Sequence, residues 1–342
     1  MNQIFRHLRS IFALLLLLLL SACGGNESSN TGTVRIPLGA GGVGFLPLQI
    51  MREYQLIEKH AQDAELEAIN VEWIELGGPA VMNDALLAGS VDFIAAGPPA
   101  FITLWDRTRG SVNVKGAAAI AALPMYLNTR ADHLDRLEDL TPNDRIALTA
   151  IKVSIPAIVM QIYALDNYGI DEFDQFDDYT VTMTHPDGVV AMLSGSNEIN
   201  SHFTSPPFHQ REMADPEIRT VLSTNDILGG STTFTMLSTT QAYHDANPGI
   251  YRAVLAALEE AQELIKSDPA VAAQVLVNSG QNAGLSEDEL VEVLQDPDIS
   301  FTSKPENTMR YARFMHEVGT LNNLPSAWTE LFFPEIHHLD GN

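Results

Sequence analysis

Apolar runs and helical stripes follow one another along the chain in an order that occurs twice. Short apolar runs predict strands at 34–38, 71–75 and 91–95, and again at 145–149, 179–183 and 198–202. Between these runs the apolar positions recur at helical spacing, beginning at Pro47 in the first set and at Pro156 in the second. Because parallel neighbouring strands need helical connections, the pattern predicts an α/β protein with two lobes. Each lobe is expected to hold a parallel-type sheet with helices on both faces.

An internal repeat supports this division. Ala-Leu-Leu-Ala-Gly-Ser at 85–90 resembles Ala-Met-Leu-Ser-Gly-Ser at 191–196, and a pair of prolines follows each copy. Beyond the second copy, 220–228 and 233–237 are strand-like and the chain from 248 to about 315 is helical. Helices without strands of their own are expected to pack on the first lobe. The resulting prediction has two hinge crossings, with lobe 1 at 34–124 and 232–342 and lobe 2 at 125–231.

The N-terminus has the features of an export signal. Two arginines precede an apolar run at 11–20, and small residues lead directly to Cys23. The run is too short to span a membrane, so we predict a signal peptide at 1–22 that is cleaved before Cys23. As in bacterial lipoproteins, which this stretch resembles, the thiol is expected to carry a lipid; a buried cysteine near a cleaved end is the alternative. Small polar residues at 23–33 predict a flexible tether. The protein is therefore expected on the periplasmic or cell-surface side of the membrane, anchored by lipid.

Composition and charge exclude several classes of protein. The chain of 342 residues is 45% hydrophobic, which is too apolar for a disordered chain, and its single cysteine cannot form a disulfide within it. With 44 acidic and 19 basic side chains the formal net charge is -25, so nucleic acid is not an expected partner. The acidic residues are dispersed, which is typical of a solvated surface. Export also disfavours the use of ATP or NAD, and no cofactor is expected.

The loops at the carboxyl ends of the predicted strands form the candidate binding site. Ligands of parallel α/β sheets bind at these ends, where helix N-termini present unpaired N–H groups. Glycine lets the backbone approach a ligand closely, and proline at a helix start fixes the backbone beforehand. Two lobes that face each other would thus enclose a polar cleft. Its loops lie at 39–45, 76–79, 96–99, 150–155, 184–187 and 203–207.

At these loops the chain resembles a known family. The resemblance rests on the residues that lead to Cys23, on Gly44-Phe45-Leu46-Pro47, on Leu76-Gly77-Gly78-Pro79, and on 88–93 running into Gly97-Pro98-Pro99. It is the family of extracytoplasmic solute-binding proteins of the nitrate, sulfonate and taurine type, which includes binders of thiamine pyrimidine precursors and of aromatic carboxylates. The resemblance implies a two-lobed periplasmic binding protein fold that closes on a small ligand and delivers it to an ABC-type permease.

Candidate ligand-binding residues come from the resemblance and from the loops themselves. By position in the family, the ligand-facing residues are Phe45, Gly77, Gly78, Pro98 and Ser154, together with the loop that begins at Thr184. Lys152 is the only lysine in the six loops and could pair with a carboxylate or sulfonate; a solvated lysine is the alternative. His185 could donate to the same anion or serve only as a turn residue before a proline. The hydroxyls of Thr204 and Ser205 complete the predicted site.

These features together predict a binding function. We expect the substrate-binding lipoprotein of an ABC importer, acting as a monomer on a small organic anion such as taurine, another sulfonate or an aromatic carboxylate. The alternatives are a neutral heteroaromatic such as a pyrimidine, stacked on Phe45 or Trp105, and a ligand sensor for a membrane partner. An enzyme is not expected, because the chain lacks a Gly-x-Ser-x-Gly elbow and its ten histidines lack zinc-binding spacing. Residues 39–44 match Gly-x-Gly-x-x-Gly, but Glu75 lies too far along the chain for a dinucleotide site.

Overall fold

A computed structural model describes residues 32–39, 41–195 and 198–342. The predicted signal peptide, Cys23 and most of the predicted tether lie outside the described residues. In the described part of the chain, no helix is long and apolar enough to cross a membrane. The strands are β1 (Gly32–Leu38), β2 (Ile69–Glu75), β3 (Phe93–Ala96), β4 (Val114–Ala122), β5 (Tyr126–Thr129), β6 (Ile146–Leu148), β7 (Thr180–Thr182), β8 (Ser201–Thr204), β9 (Arg219–Ser223) and β10 (Thr233–Thr240).

Helices connect most of these strands and form the C-terminal third. The α-helices are α1 (Leu46–Glu53), α2 (Leu56–Asp63), α3 (Pro79–Leu87), α4 (Pro98–Thr108), α5 (Ile155–Tyr168), α6 (His185–Ser194), α7 (Phe208–Met213), α8 (Thr224–Leu228), α9 (Gln241–Ala246), α10 (Pro248–Ser267), α11 (Pro269–Asn278), α12 (Glu287–Leu294), α13 (Thr308–Glu317) and α14 (Trp328–Leu331). Short 3-10 helices lie at Gly42–Phe45, Leu137–Asp139, Ile170–Glu172, Asp177–Tyr179 and Pro334–Ile336.

The strands form two sheet regions, and we name the lobes by them. In the first region β1 pairs with β2, and β10 lies between β3 and β4. The N–H of Asp92, directly before β3, donates to the carbonyl of Arg35 in β1 at 2.9 Å, which joins the two parts. Lobe 1 is the part of the chain built on β1–β4 and β10. Lobe 2 is the part built on the other sheet, whose strand order is β7-β6-β8-β5-β9.

The α/β class is confirmed, but the strand directions are more mixed than the predicted parallel sheets. Strand β6 is parallel to β7 and β8, as expected for strands joined by helices. Strand β5 is antiparallel to β8 and β9, and β10 is antiparallel to β3 and β4. The antiparallel direction of β5 and β10 follows from the path of the chain between the lobes. Because β5 and β10 each begin at a crossing, they run away from it, whereas their neighbours end there.

Two details of the predicted strands are corrected. Residues 224–228, predicted to be strand-like, form α8, which is capped by Ser223: its Oγ accepts from the N–H of Asn225 at 3.3 Å. Strands β4 and β5 were not predicted: β4 is rich in alanine and has only Val114 and Ile120 as β-branched residues, and β5 is four residues long. The crossings run between Ala122 and Tyr126 and between Leu228 and Thr233. The predicted lobe boundaries fall inside these segments, and hinged motion about them stays a prediction.

The hydrophobic core is continuous across both lobes. Buried residues such as Ile36 in β1, Phe203 in β8 and Leu258 in α10 belong to one cluster. The C-terminal helices pack on lobe 1, with α10 against α1, α2 and β4, and α13 against α4. Gln262 of α10 donates to the carbonyl of Ile120 in β4 at 2.9 Å, which fixes this helix on the sheet. The core therefore holds the loops at the crossings in a defined position.

Candidate ligand-binding site

A cleft lies where the loops of the two lobes meet. It has an empty volume of about 670 Å³, which includes open solvent at its mouth. From lobe 1 it is lined by Gly39, Gly41, Phe45, Leu76, Gly77, Gly78, Pro79, Met82, Ala95, Ala96, Gly97, Phe234 and Thr235. From lobe 2 and the first crossing it is lined by Met125, Thr149, Val153, Ser154, Ile155, Pro156, Thr184 and His185.

Four helices begin at this cleft. The residues that precede α3, α4, α5 and α6 are Gly78, Gly97, Ser154 and Thr184, and each of them lines the cleft. Each helix start carries a partial positive charge from its unpaired N–H groups. The backbone N–H groups of Ile155 and His185 have no hydrogen-bond partner among the described residues. The helix starts thus give the described lining a partial positive charge, although no charged side chain is part of that lining.

Proline shapes each of these helix starts. A proline occupies the first or second position of α3, α4, α5 and α6. Proline fixes the local backbone but has no N–H, so fewer donors are left than at an ordinary helix start. Ser154 uses its hydroxyl as a cap, accepting from the N–H of Ala157 at 3.5 Å. Thr184 caps α6 in the same way, accepting from the N–H of Asp187 at 3.3 Å. Anion binding here would therefore depend on a few N–H groups and on side-chain donors.

The described lining of the cleft contains no charged side chain, and Lys152 lies outside this lining. Lys152 is exposed and has a φ of 68°. Burial raises the pKa of Asp177, and the positive charge of Lys152 counteracts part of that rise, so this lysine lies near Asp177. The left-handed backbone at Lys152 turns the chain just before Val153 and Ser154 reach the cleft. The structure therefore does not bring Lys152 together with the other predicted site residues.

An aromatic pair forms the apolar wall in lobe 1. The rings of Phe45 and Phe234 meet edge to face with centroids 6.4 Å apart. Glycine backbone packs closely against the ring of Phe45: a Cβ on Gly39 or on Gly41 would lie 2.5 Å from ring atoms. A Cβ on Gly44 would lie 2.1 Å from the ring of Phe234. The Gly-x-Gly-x-x-Gly pattern at 39–44 thus serves the packing of two phenylalanines, which explains it without a dinucleotide.

The lobes are in contact beside the cleft, directly after Thr204 and Ser205 in the chain. The N–H of Val43 donates to the carbonyl of Pro206 at 3.3 Å. A Cβ on Gly42, which has a φ of 58°, would lie 2.3 Å from Pro207, so only glycine allows this approach. Thr204 and Ser205 are completely buried, and their hydroxyls have no hydrogen-bond partner in the described parts of the chain. They do not line the cleft as the structure stands.

Most of the other predicted residues line the cleft. Phe45, Gly77, Gly78, Ser154 and His185 all line the cleft. Pro98, the first residue of α4, is buried and follows the lining residue Gly97 in the chain, but it is not itself part of the lining. Sequence reasoning missed Met125, Phe234 and Thr235, which reach the cleft because both crossings pass beside it, and Thr149, which follows β6. The available signal was their place at a crossing or directly after a strand.

His185 is the only titratable side chain in the described lining of the cleft. It is 4% exposed, and its ring stacks on Phe208 with centroids 5.5 Å apart. Burial, together with the neighbouring His202, lowers the pKa of His185 to about 3. The imidazole is therefore neutral at physiological pH and can offer a hydrogen bond but no charge.

The strands, helices and cleft define a two-lobed α/β protein, and comparison with known structures agrees on this fold. The alkanesulfonate-binding protein SsuA from Xanthomonas axonopodis pv. citri, solved with MOPS bound, has a TM-score of 0.66 at 17% identity, over 85% of this chain and 94% of that one. The periplasmic aliphatic sulphonate binding protein SsuA from Escherichia coli has a TM-score of 0.60 at 16% identity, over 88% of this chain and 92% of that one. The periplasmic nitrate-binding protein NrtA from Synechocystis PCC 6803 has a TM-score of 0.66 at 15% identity, over 85% and 82%.

The family is shown by sequence. The model of the NMT1-like family matches residues 42–277, which is more than half of the chain, so the protein belongs to the NMT1-like family. No curated protein is similar enough in sequence to count as a match. At these levels of identity the solved structures establish the fold, and the predicted two-lobed periplasmic binding protein fold is confirmed.

Proposed function

We propose that this protein is the substrate-binding lipoprotein of an ABC importer and that it captures a small organic anion between its lobes. The observation that carries the proposal is the set of four helix starts that converge on a cleft whose described lining has no acidic side chain. Helix N-termini favour negative charge. The apolar side chains of Phe45, Met82 and Phe234 suit the carbon skeleton of such a ligand. A sulfonate or an aromatic carboxylate has both features.

Closure of the lobes on the ligand is the proposed mechanism. A ligand that touches Gly78 and Gly97 on one wall and Ser154 and Thr184 on the other has its full set of contacts only when the lobes are together. It therefore binds the closed arrangement more tightly and shifts the population toward it. Entry and release require the contact between Val43 and Pro206 to separate. The closed lobes would then present a surface that a membrane permease can distinguish from the open form.

A neutral heteroaromatic ligand is the second candidate. Two observations favour it: the pair of rings at Phe45 and Phe234, and the lack of a formal cation among the described lining residues. A flat ring held on Phe45 would need hydrogen bonds from Thr149, Thr235 or His185 but no charge. The two candidates differ in the ligand they select and can be separated by one experiment.

The test is a thermal-shift screen of the full-length protein in mild detergent. The panel contains taurine, ethanesulfonate, benzoate, acetate, nitrate and pyrimidines. A ligand of the folded state adds about 2.7 kcal/mol of stability at a hundred times its dissociation constant, so a true ligand raises the midpoint. Stabilisation by sulfonates or carboxylates supports the proposal. Stabilisation by pyrimidines alone would replace it with the second candidate, and no response from a folded protein would contradict both.

A pair of variants on one strand locates the binding site. Thr235 of β10 lines the cleft, and its hydroxyl has no protein partner among the described residues; Thr239 of the same strand donates to the carbonyl of Asp92 at 2.6 Å. Thr235→Val is expected to lower the affinity for the ligand by about tenfold, because it removes one hydrogen bond to a charged group. Thr239→Val is expected to lower stability and leave the dissociation constant unchanged. Equal affinities in both variants would place the ligand elsewhere.

A further inference from the structure

A row of buried polar side chains crosses lobe 2 from the cleft to β9. Nδ1 of His185 lies 3.3 Å from Nε2 of His202, and Nδ1 of His202 lies 2.6 Å from Oε1 of Glu212. Nδ2 of Asn128 donates to Oε2 of Glu212 at 2.8 Å, and its Oδ1 accepts from the hydroxyl of Thr220 at 2.9 Å. We call His185, His202, Glu212 and Asn128 the relay.

The packing around the relay fixes its geometry. The side chains of His202 and Glu212 are completely buried. Gly188 of α6 leaves the space for His202, because a Cβ there would lie 2.5 Å from the imidazole ring. Phe208 covers one face of His185. Since water does not reach these groups, their hydrogen bonds must be made within the relay.

The charge of the buried pair decides where the protons lie. No Lys or Arg side chain contacts His202 or Glu212 in the described part of the chain. A net charge on the pair would then be buried without a counter-ion, which is costly. A neutral pair has two forms: an imidazolium beside a carboxylate, or a neutral imidazole beside a carboxylic acid.

Both neutral forms leave a proton on Nε2 of His202. In the first form both ring nitrogens are protonated; in the second the acid donates to Nδ1, and the proton of the ring lies on Nε2. Nε2 of His202 therefore donates to Nδ1 of His185. A neutral His185 that accepts at Nδ1 carries its own proton on Nε2. This nitrogen has no protein partner among the described residues, and His185 lines the cleft.

We propose that His202 and Glu212 are positioning residues that hold His185 in the tautomer protonated at Nε2. The cleft then presents an N–H donor from an uncharged ring, and it selects ligands that place a hydrogen-bond acceptor, such as a sulfonate or carboxylate oxygen, at this position. The selection of the ligand rests on the proposed function, whereas the tautomer is a property of the free protein.

The first test measures the tautomer without any ligand. The full-length protein is labelled with ¹⁵N-histidine, and two-bond ¹H–¹⁵N correlations identify the protonated nitrogen of each ring at pH 7. The signals that disappear in His185→Gln belong to His185. We expect its proton on Nε2. A proton on Nδ1, or two tautomers in similar amounts, would overturn the inference even if anions bind well.

The second test uses Glu212→Gln, in which the two possible proton arrangements behave differently. Asn128 donates to the Oε2 position, so the amide of Gln is expected to turn its oxygen there and its N–H2 toward Nδ1 of His202. That arrangement keeps the proton of His202 on Nε2, and the tautomer of His185 does not change. If the native pair were anionic instead, the same substitution would move the proton of His185 from Nδ1 to Nε2.

Affinity for ethanesulfonate provides the readout of selection. Glu138→Gln is the matched control, since Glu138 is an exposed acid of the same lobe that accepts from the hydroxyl of Tyr163 at 2.7 Å. Both variants are expected to bind ethanesulfonate within about threefold of the native protein, because the donor at His185 is kept. A gain of tenfold or more in Glu212→Gln alone would show that the native tautomer was the acceptor and would refute the inference. If ethanesulfonate binds none of the proteins, the proposed anion fails, and the spectra still decide the tautomer.

Discussion

Replacing Gly188 by Ala tests how rigidly the relay is held. In an exposed helix this change stabilises by about 1 kcal/mol, because glycine is a poor helix former. Here the new Cβ would lie 2.5 Å from Cε1 and Nε2 of His202. The ring cannot retreat freely, since its two nitrogens bond to Glu212 and His185. Overpacking of this kind costs about 1–3 kcal/mol, and a lost hydrogen bond to a charged group costs about 1.5–3 kcal/mol.

After the stabilisation from better helix propensity is subtracted, Gly188→Ala is expected to lower the free energy of unfolding by about 2 kcal/mol. With an unfolding entropy of about 2.1 cal/mol/K per residue, this lowers the thermal midpoint by about 3 °C for a domain of this size. The control is Gly249→Ala in α10, where the Cβ would meet the flexible end of Leu66 at 2.8 Å. Both variants are measured by circular dichroism on heating. A Gly188→Ala protein as stable as Gly249→Ala would show that the ring of His202 moves freely, contrary to this reasoning.

Three further predictions concern residues outside the cleft. Lys152→Ala is expected to change the affinity for ethanesulfonate by less than about twofold, because the side chain is exposed and is not part of the described lining. A tenfold or greater loss of affinity in calorimetry would show that Lys152 contributes to binding. Burial alone would lower the pKa of His244, but its hydrogen bonds to Asp245 and Glu335 outweigh burial and raise that pKa. The charged form of His244 therefore stabilises the fold below about pH 6.5, and this contribution is lost as pH rises through the raised pKa. His244→Gln should lose more stability at pH 6 than at pH 8.5 in urea unfolding, and an equal loss at both would refute this. Cys23→Ser is expected to move the protein from the membrane fraction to the soluble fraction, and retention in the membrane would contradict lipidation at Cys23.

The sequence was sufficient for the parts of the site that local chemistry fixes. Glycine and proline at a helix start leave few backbone choices, and the loops around Gly78, Gly97, Ser154 and Thr184 are where the pattern placed them. The repeated order of strands and helices likewise specified two α/β lobes. These inferences need only neighbours along the chain, and for that reason the amino-acid pattern alone supports them.

Other features of the site depend on parts of the chain that are distant in sequence. Lys152 was expected to bind the anion; the structure places it outside the described lining, with a left-handed backbone and with Asp177 nearby. Thr204 and Ser205 were expected to face the ligand; the structure buries both of them, next to the contact of Val43 with Pro206. The relay could not be predicted from the sequence either, because His202 and Glu212 belong to different elements and meet only when α7 packs beside β8. Side-chain direction and contacts between lobes are properties of the assembled fold.

The effect of salt follows from the contrast between the charge of the protein and that of its cleft. The chain carries a net charge of -25, whereas the described lining of the cleft has no charged side chain. On the proposed function, an anion would be repelled at long range and held at short range by helix starts and the ring of His185. Salt shortens the screening length from about 30 Å at 0.01 M to about 8 Å at 0.15 M, which removes the repulsion and leaves the short contacts.

The affinity for ethanesulfonate is therefore expected to stay constant or rise between 0.01 M and 0.15 M ionic strength. An anion that pairs with a lysine would show the reverse, since salt screens that attraction. Isothermal titration calorimetry at several concentrations of potassium chloride measures the trend, and urea unfolding in the same buffers corrects for any effect of salt on stability. Affinity that falls by several-fold over this range would mean that a cation reaches the bound anion. In that case Lys152, or another basic side chain, must enter the cleft when the lobes close on the ligand.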